Sequence, residues 1–217
     1  MSDDAIKGAL DRAQGVLDTA YYGLAILRGA DRSVRSAGLR NVLVFGRSTT
    51  FVIQNLRSIV GEKEFEQWYA PHQAAMKADP VMRYFVEARN NLEKQGRLDT
   101  AVSAHIHNFN SGDIRKFGTP PPGARAFFMG DQTGGSGWEV ELPNGEVIKY
   151  YVNIPQSIAD VRQVFTNMPD DVPAELKGLA VEDLCEIVLG RISEVLVDAR
   201  KRFLGAKKLP PYIRIIK

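Results

Sequence analysis

The chain has one cysteine, Cys185, and no long apolar run, and these two scarcities exclude several classes of protein. A single cysteine cannot form a disulfide within the chain, so the fold does not depend on such a cross-link. No uninterrupted apolar segment approaches the ~20 residues that cross a bilayer. The start, Met1 to Asp4, lacks the basic and apolar regions of a secretion signal. We therefore expect a cytoplasmic protein that does not associate with a membrane.

An excess of charge of one sign is also absent from the whole chain, whose formal net charge is +2. With 217 residues, of which 44% are hydrophobic, the chain is long and apolar enough to bury a core without metals. The C-terminal end differs, because from residue 200 onward it carries cations and no acid: Arg200, Lys201, Arg202, Lys207, Lys208, Arg214 and Lys217. These cations can attract nucleic-acid phosphates, but we favour their complementing the dipole of a last helix.

Apolar residues in the N-terminal part recur at helical spacing. The first series alternates steps of four and three residues between Asp3 and Gly29 and consists of Ile6, Leu10, Ala13, Leu17, Ala20, Leu24 and Leu27. A second helix is predicted over residues 37–60, with Gly61 as its stop. Because only a short polar turn at residues 31–36 joins them, the two helices should pack antiparallel.

Two prolines punctuate the next segment. A helical pattern over residues 62–77 contains Pro71, which lacks a backbone donor and predicts an interruption there. Asp79 then offers a capping oxygen, and Pro80 occupies the first position of a helix that should run to Gly96.

The pattern changes to strict alternation after Thr100, which predicts strands. Two alternating segments, residues 138–142 and 148–154, flank Pro143-Asn144-Gly145-Glu146 and predict a β-hairpin. Residues 101–109 and 124–129 are further strand candidates. The glycine-rich segment 130–137 precedes a strand and not a helix, which predicts a hairpin loop and not a phosphate loop.

Helical spacing returns at Ser157, which is positioned to cap a short helix containing Val161, Val164 and Phe165. A long helix follows over about residues 181–203, and its apolar face includes Cys185. The chain is thus predicted to be α+β but mainly α: an antiparallel helical bundle with a small antiparallel β-sheet inserted before the last long helix. The predicted parts are helical residues 1–97, sheet residues 98–156 and C-terminal helices in 157–217.

Arg89 is the most informative residue, because it lies on the apolar stripe of the helix that begins at Pro80. Met82, Phe85 and Leu92 share that stripe at steps of three and four residues. A guanidinium there must be paired or must face a cleft or an interface. Glu93, four residues later, offers an intrahelical ion pair, which would give Arg89 a purely structural role.

The Arg89-Asn90 pair, followed by Lys94, resembles the arginine-x4-6-histidine motif of HEPN domains, with lysine in place of histidine. That resemblance implies a helical bundle, a homodimer and a metal-independent ribonuclease of the toxin or defence type. It would place Arg89 and Lys94 in catalysis and Asn90 at the substrate. Because a solvated lysine, with a pKa near ~10.4, is a poor general base, we expect binding of RNA or a nucleotide in preference to cleavage.

His105 and His107 lie two residues apart on a predicted strand, so both imidazoles should lie on one face. A metal would need a third ligand, for which Asp113, Asn108 and His72 are candidates, but no spacing demands one and we expect no metal or other cofactor. If the strand folds over the Arg89 helix, these histidines could instead contact substrate and supply the titrating group that Lys94 cannot.

Two functional hypotheses follow. The first is a HEPN-like homodimer that binds RNA or a nucleotide at Arg89, Asn90 and Lys94. The alternative is a non-catalytic interaction module that recruits another protein through the first helix and the sheet, with Arg89 in a structural ion pair. They differ in whether Arg89 faces a shared cleft or is closed off by Glu93.

Overall fold

The computed structural model describes residues 3–29, 31–107, 111–155 and 157–205. It confirms an α+β fold that is mainly α. The helices are α1 (Asp3–Arg28), α2 (Arg35–Val52), α3 (Arg57–Val60), α4 (Glu62–Ala78), α5 (Pro80–Gln95), α6 (Ala174–Lys177) and α7 (Val181–Leu204). The strands are β1 (Thr100–Ile106), β2 (Ala124–Met129), β3 (Ser136–Glu141), β4 (Val147–Val152) and β5 (Ala159–Phe165). Short 3-10 helices span Arg32–Val34, Ile53–Leu56 and Ser111–Phe117.

The predicted apolar series of α1 is buried along its whole length in the chain's own core. α2 packs antiparallel against it, and the two backbones approach closely at Gly23 and Gly38. A Cβ built on Gly38 would lie 2.7 Å from the Gly23 carbonyl oxygen. The surface that the interaction hypothesis assigned to α1 is therefore used inside the molecule and cannot recruit a partner.

Helix α4 runs without a break through Pro71, so the interruption predicted there is wrong. Pro71 has no backbone N–H to donate to the carbonyl of Gln67, four residues earlier. Both residues are exposed. Water can satisfy that carbonyl, which removes the part of the proline penalty that comes from the lost hydrogen bond. The helix predicted over residues 37–60 is present as α2 and α3, joined by a 3-10 turn.

The ends of α5 confirm the prediction made from Asp79 and Gly96. The Asp79 carboxylate accepts hydrogen bonds from the backbone N–H groups of Val81 and Met82. Gly96 ends the helix with a φ of 68°, a left-handed conformation that glycine adopts at little cost. Helix α7, predicted over residues 181–203, buries Cys185 in the core as expected.

The strands form two antiparallel sheets, where one sheet of three or four strands was predicted. β2, β3 and β4 make a three-stranded sheet that contains the predicted hairpin. β1 pairs with β5, from Thr100 opposite Phe165 to Ile106 opposite Ala159. The helix predicted at Ser157 is therefore wrong, and strand residues continue past the predicted boundary at residue 156.

Contacts of two kinds, ring packing and a hydrogen bond, link the sheet region to the helical region. Phe165, at one end of β5, packs against Tyr84 and Phe85 of α5 with ring centroids 5.5 and 5.3 Å apart. Arg32, in the turn between α1 and α2, donates a hydrogen bond of 3.1 Å to the carbonyl of Thr133 in the β2–β3 loop. Among the described residues, no helix combines the length and apolarity that crossing a membrane requires.

Candidate functional site

Arg89 lies on the stripe of α5 as predicted, but its guanidinium is paired within the helix. Nη2 is 2.8 Å from a carboxylate oxygen of Glu93, and Nη1 donates to the side-chain oxygen of Asn90 at 3.2 Å. The side chain is 24% exposed, and its buried Nε has no hydrogen-bond partner among the described residues. Glu93 thus closes off the guanidinium, as the interaction hypothesis required.

The other predicted residues of the motif do not form a catalytic set. Asn90 is half-buried and orients the Arg89 guanidinium. Lys94 is exposed in the last turn of α5, where a lysine complements the helix dipole. Among the described contacts, Lys94 has no neighbouring base that could activate it. The arrangement suits anion binding better than proton transfer.

His105 and His107 share a face of β1, and their rings are in edge contact with centroids 4.8 Å apart. Both are exposed. The β1–β5 ladder contacts α5 at its other end, through Phe165 opposite Thr100. Five residues of strand separate Thr100 from His105, about 17 Å. No hydrogen bond or ring contact joins either histidine to Arg89 in the described part of the chain.

The two described candidates for a third metal ligand, His72 and Asp113, each have another partner. His72 is 2.9 Å from a carboxylate oxygen of Asp198, an oxygen that also accepts the indole N–H of Trp68, so this histidine joins α4 to α7. Asp113 is buried and pairs with Lys116. Asn108 lies outside the described residues. Within those residues, no group of three or more potential metal ligands comes together.

The structure instead contains a cavity of about 350 Å³ between α2, α4, α5 and α7. Its walls are mostly apolar, with Met82, Phe85 and Val86 from α5 and Val188 and Ile192 from α7. Small-molecule sites generally span ~300–1,000 Å³ and are apolar with a few polar groups. The cavity is therefore of the size and character of a site for one small ligand.

Arg47, on the α2 wall, is the distinctive polar group of this cavity. Its Nη1 donates to the Thr50 hydroxyl at 2.7 Å, and its guanidinium lies 4.3 Å above the centre of the Phe51 ring. Among the described residues it makes no ion pair with a carboxylate. Burial, together with the positive charge of nearby Arg89, lowers the pKa of Arg47 from its ordinary value, yet a guanidinium stays protonated. Arg47 is thus a half-buried cation whose charge is not neutralised by a nearby acid.

The other cations at the cavity are already engaged. Arg83 pairs with Asp171 and donates to the carbonyls of Lys77 and Ala78. Lys77 itself is exposed and donates to Gln73 at 3.3 Å. Arg47 is therefore the cation of this wall best placed to meet an anion that enters the cavity.

Sequence reasoning missed Arg47, although a signal for it exists. Buried residues of α2 and of the 3-10 turn after it form a stripe: Leu39, Leu43, Gly46, Thr50 and Ile53. Arg47 borders this stripe and is thus, like Arg89, an arginine among buried neighbours. The same test for an arginine among buried neighbours, applied to a helix buried on two sides, would have found it.

The chain matches a known protein family over part of its length. The model of the family described as bacteriophage lambda protein ea47 matches residues 33–112. The chain is similar to that family over α2 to α5 and β1, a stretch that includes both Arg47 and Arg89. No curated protein and no solved structure matches the chain.

Proposed function

We propose that this protein binds a nucleotide, either free or at the end of an RNA strand, and that the anionic group of the ligand meets Arg47. The observation that carries the proposal is the half-buried Arg47 guanidinium, which borders a ligand-sized cavity and has no carboxylate partner among the described residues. Phosphate is the anion for which an arginine fork is best suited.

Arg89 supports the proposal as the second cation. It lies close enough to Arg47 to lower the pKa of that residue, so the two positive charges repel each other in the free protein. An anion bound between them would relieve this repulsion. Glu93 now neutralises Arg89 through a partly exposed pair of a kind that contributes little to stability. Arg89 can therefore turn to a phosphate at small cost.

The proposal is one of binding without cleavage. Lys94 is exposed and His105 and His107 are distant, so among the described residues no histidine lies beside Arg89 to transfer a proton. The HEPN resemblance and the homodimer that it implies remain predictions.

The test is titration of the purified protein with two ligands. Calorimetry would measure the binding of AMP, and fluorescence anisotropy would measure the binding of a short single-stranded RNA. Loss of one charge-assisted hydrogen bond costs about 1.5–3 kcal/mol, so Arg47→Gln should weaken AMP binding about tenfold or more. Arg40→Gln is the matched control, because Arg40 is exposed on the same helix and outside the cavity lining. Glu93→Gln should strengthen binding because it frees Arg89.

Equal effects of Arg47→Gln and Arg40→Gln would contradict the proposal, as would no binding of either probe by the folded wild type. Binding of the RNA but not of AMP would assign the site to a strand end, and the reverse result would assign it to free nucleotide.

A second candidate function is association through β4, since this strand pairs only with β3 among the described strands. Ile148 and Tyr150 are exposed on it, Tyr150 by 51%, and an uncovered apolar edge can add a strand from another chain. The expected partner for this strand is a second copy of the same chain. Sedimentation should show a dimer that Ile148→Lys converts to monomer; a monomeric wild type would exclude this candidate.

A further inference from the structure

Polar residues line the cavity from several elements, including Arg83 and Glu87 of α5. Gln54, in the 3-10 turn after α2, and Tyr69 of α4 each donate to the Thr50 carbonyl, at 3.1 and 3.3 Å. On the α2 and α4 side, two of the lining residues, Gln54 and Gln73, carry side-chain amides. An amide offers both a donor and an acceptor, so this side can pair with a ligand edge that carries both.

The opposite walls are suited to a flat ring. Met82 and Phe85 of α5 line them, and thioether and aromatic groups pack well against planar π-systems. The cavity thus combines an apolar slot, a donor-and-acceptor edge, and a cation at Arg47.

We infer that the cavity takes the base of a single nucleotide, with its Watson–Crick or Hoogsteen edge on the Gln54 and Gln73 side and its phosphate at Arg47. This inference rests on the proposed function and adds where the base goes. A polymethylene chain of a fatty acid fits less well, because it could form no hydrogen bond with either amide.

The size of the cavity restricts the form of the ligand. About 350 Å³ lies near the lower end of the range for small-molecule sites, enough for one ring system and not for a stacked pair. A duplex cannot present a base in this way, since its bases are paired and stacked. RNA would enter only through an unpaired terminal nucleotide.

The experiment compares AMP with ribose 5-phosphate on the wild-type protein. The two share the phosphate, so their difference isolates the base. Burial and stacking of one base should make AMP bind about tenfold or more tightly. Sodium decanoate is the third probe, since it keeps the anion and replaces the ring with an acyl chain.

Val86→Phe supplies the variant arm, because half-buried Val86 lines the cavity and a larger side chain would fill it. It should reduce AMP affinity to about that of ribose 5-phosphate. Val44→Phe is the matched control: Val44 is half-buried against the same core but outside the lining. Circular dichroism melts would establish that both variants fold. If they do not fold, the comparison of AMP with ribose 5-phosphate on the wild-type protein decides whether the cavity takes the base.

Equal affinities of AMP and ribose 5-phosphate, both lost in Arg47→Gln, would overturn the base site while leaving phosphate binding intact. AMP binding that is blocked by Val86→Phe but indifferent to Arg47→Gln would instead support the base site and refute the role of Arg47. Decanoate binding more tightly than AMP would overturn the inference, because the slot would then be one for acyl chains.

Discussion

The buried pair between Arg35 and Glu182 allows the sharpest prediction about stability. Arg35 is 3% exposed and lies where α1, α2 and α7 meet. It donates to the carbonyl of Leu27 near the end of α1, and its Nη2 is 3.0 Å from the Glu182 carboxylate. Glu182→Ala would leave the guanidinium buried without a counter-charge. Such changes cost about 3–5 kcal/mol, and because the Glu182 side chain is 24% exposed we expect the lower end, about 3 kcal/mol.

The same helix provides the control one turn later. Glu186 pairs with Arg28 of α1 at 2.6 Å, but both side chains are more than one-third exposed. Water can replace Glu186 as a partner for Arg28, so Glu186→Ala should cost less than about 1 kcal/mol. The two substitutions remove the same side chain from the same helix and differ mainly in the burial of the arginine.

Urea unfolding at neutral pH measures the difference. With a slope of about 2 kcal/mol per molar urea, Glu182→Ala should lower the midpoint by about 1.5 M and Glu186→Ala by less than about 0.5 M. Equal midpoints for the two variants would refute the argument, since burial would then not govern the cost of the broken pair.

Three further predictions concern other parts of the fold. Gly38→Ala should destabilise the protein by about 1–3 kcal/mol, because the added Cβ would meet the backbone of α1. Gly15→Ala should instead stabilise the protein by up to about 1 kcal/mol, because the space around Gly15 is open. Thermal melts of the two variants would rank their stabilities. Although burial acts to raise the pKa of Asp131, hydrogen bonds from Tyr151, Thr133 and Lys149 outweigh it and hold that pKa well below its ordinary value. The resulting stabilisation is present above the unfolded pKa of ~3.9 and is lost as pH falls below it, so acid titrations of the wild type and Asp131→Asn should converge at low pH. Burial raises the pKa of the Cys185 thiol, and a thiol reagent should modify it only as fast as the protein unfolds.

Helices could be predicted from the sequence where burial follows one face and the ends carry their own signals. α1 has an unbroken apolar series, and α5 has both the Asp79 cap and Gly96. These signals are local, since the cap and the glycine act within a turn of their own position. The bounds of both helices consequently agree with the prediction to within a residue or two.

β5 could not be recognised because its sequence fits two periods. Val161, Val164 and Phe165 follow helical steps, while Ala159, Val161 and Phe165 also fit alternation. The deciding factor is β1, nearly sixty residues earlier, which offers a free edge for pairing. A choice made by a distant strand leaves no mark in a short window of sequence.

The candidate site shows the same division between local and long-range information. Sequence singled out Arg89 because its own helix places it among apolar residues, and the local part of that argument holds, since Arg89 is half-buried. Its closure by Glu93 was also foreseeable at four residues' distance. What could not be foreseen is that Arg47, on another helix, lies near Arg89 and borders a space that four helices enclose. A binding site needs an empty volume as well as a charge, and only the packing of α2, α4, α5 and α7 creates that volume. The proposed function consequently assigns binding to the arginine beside the cavity and gives Arg89 a role through its proximity to Arg47.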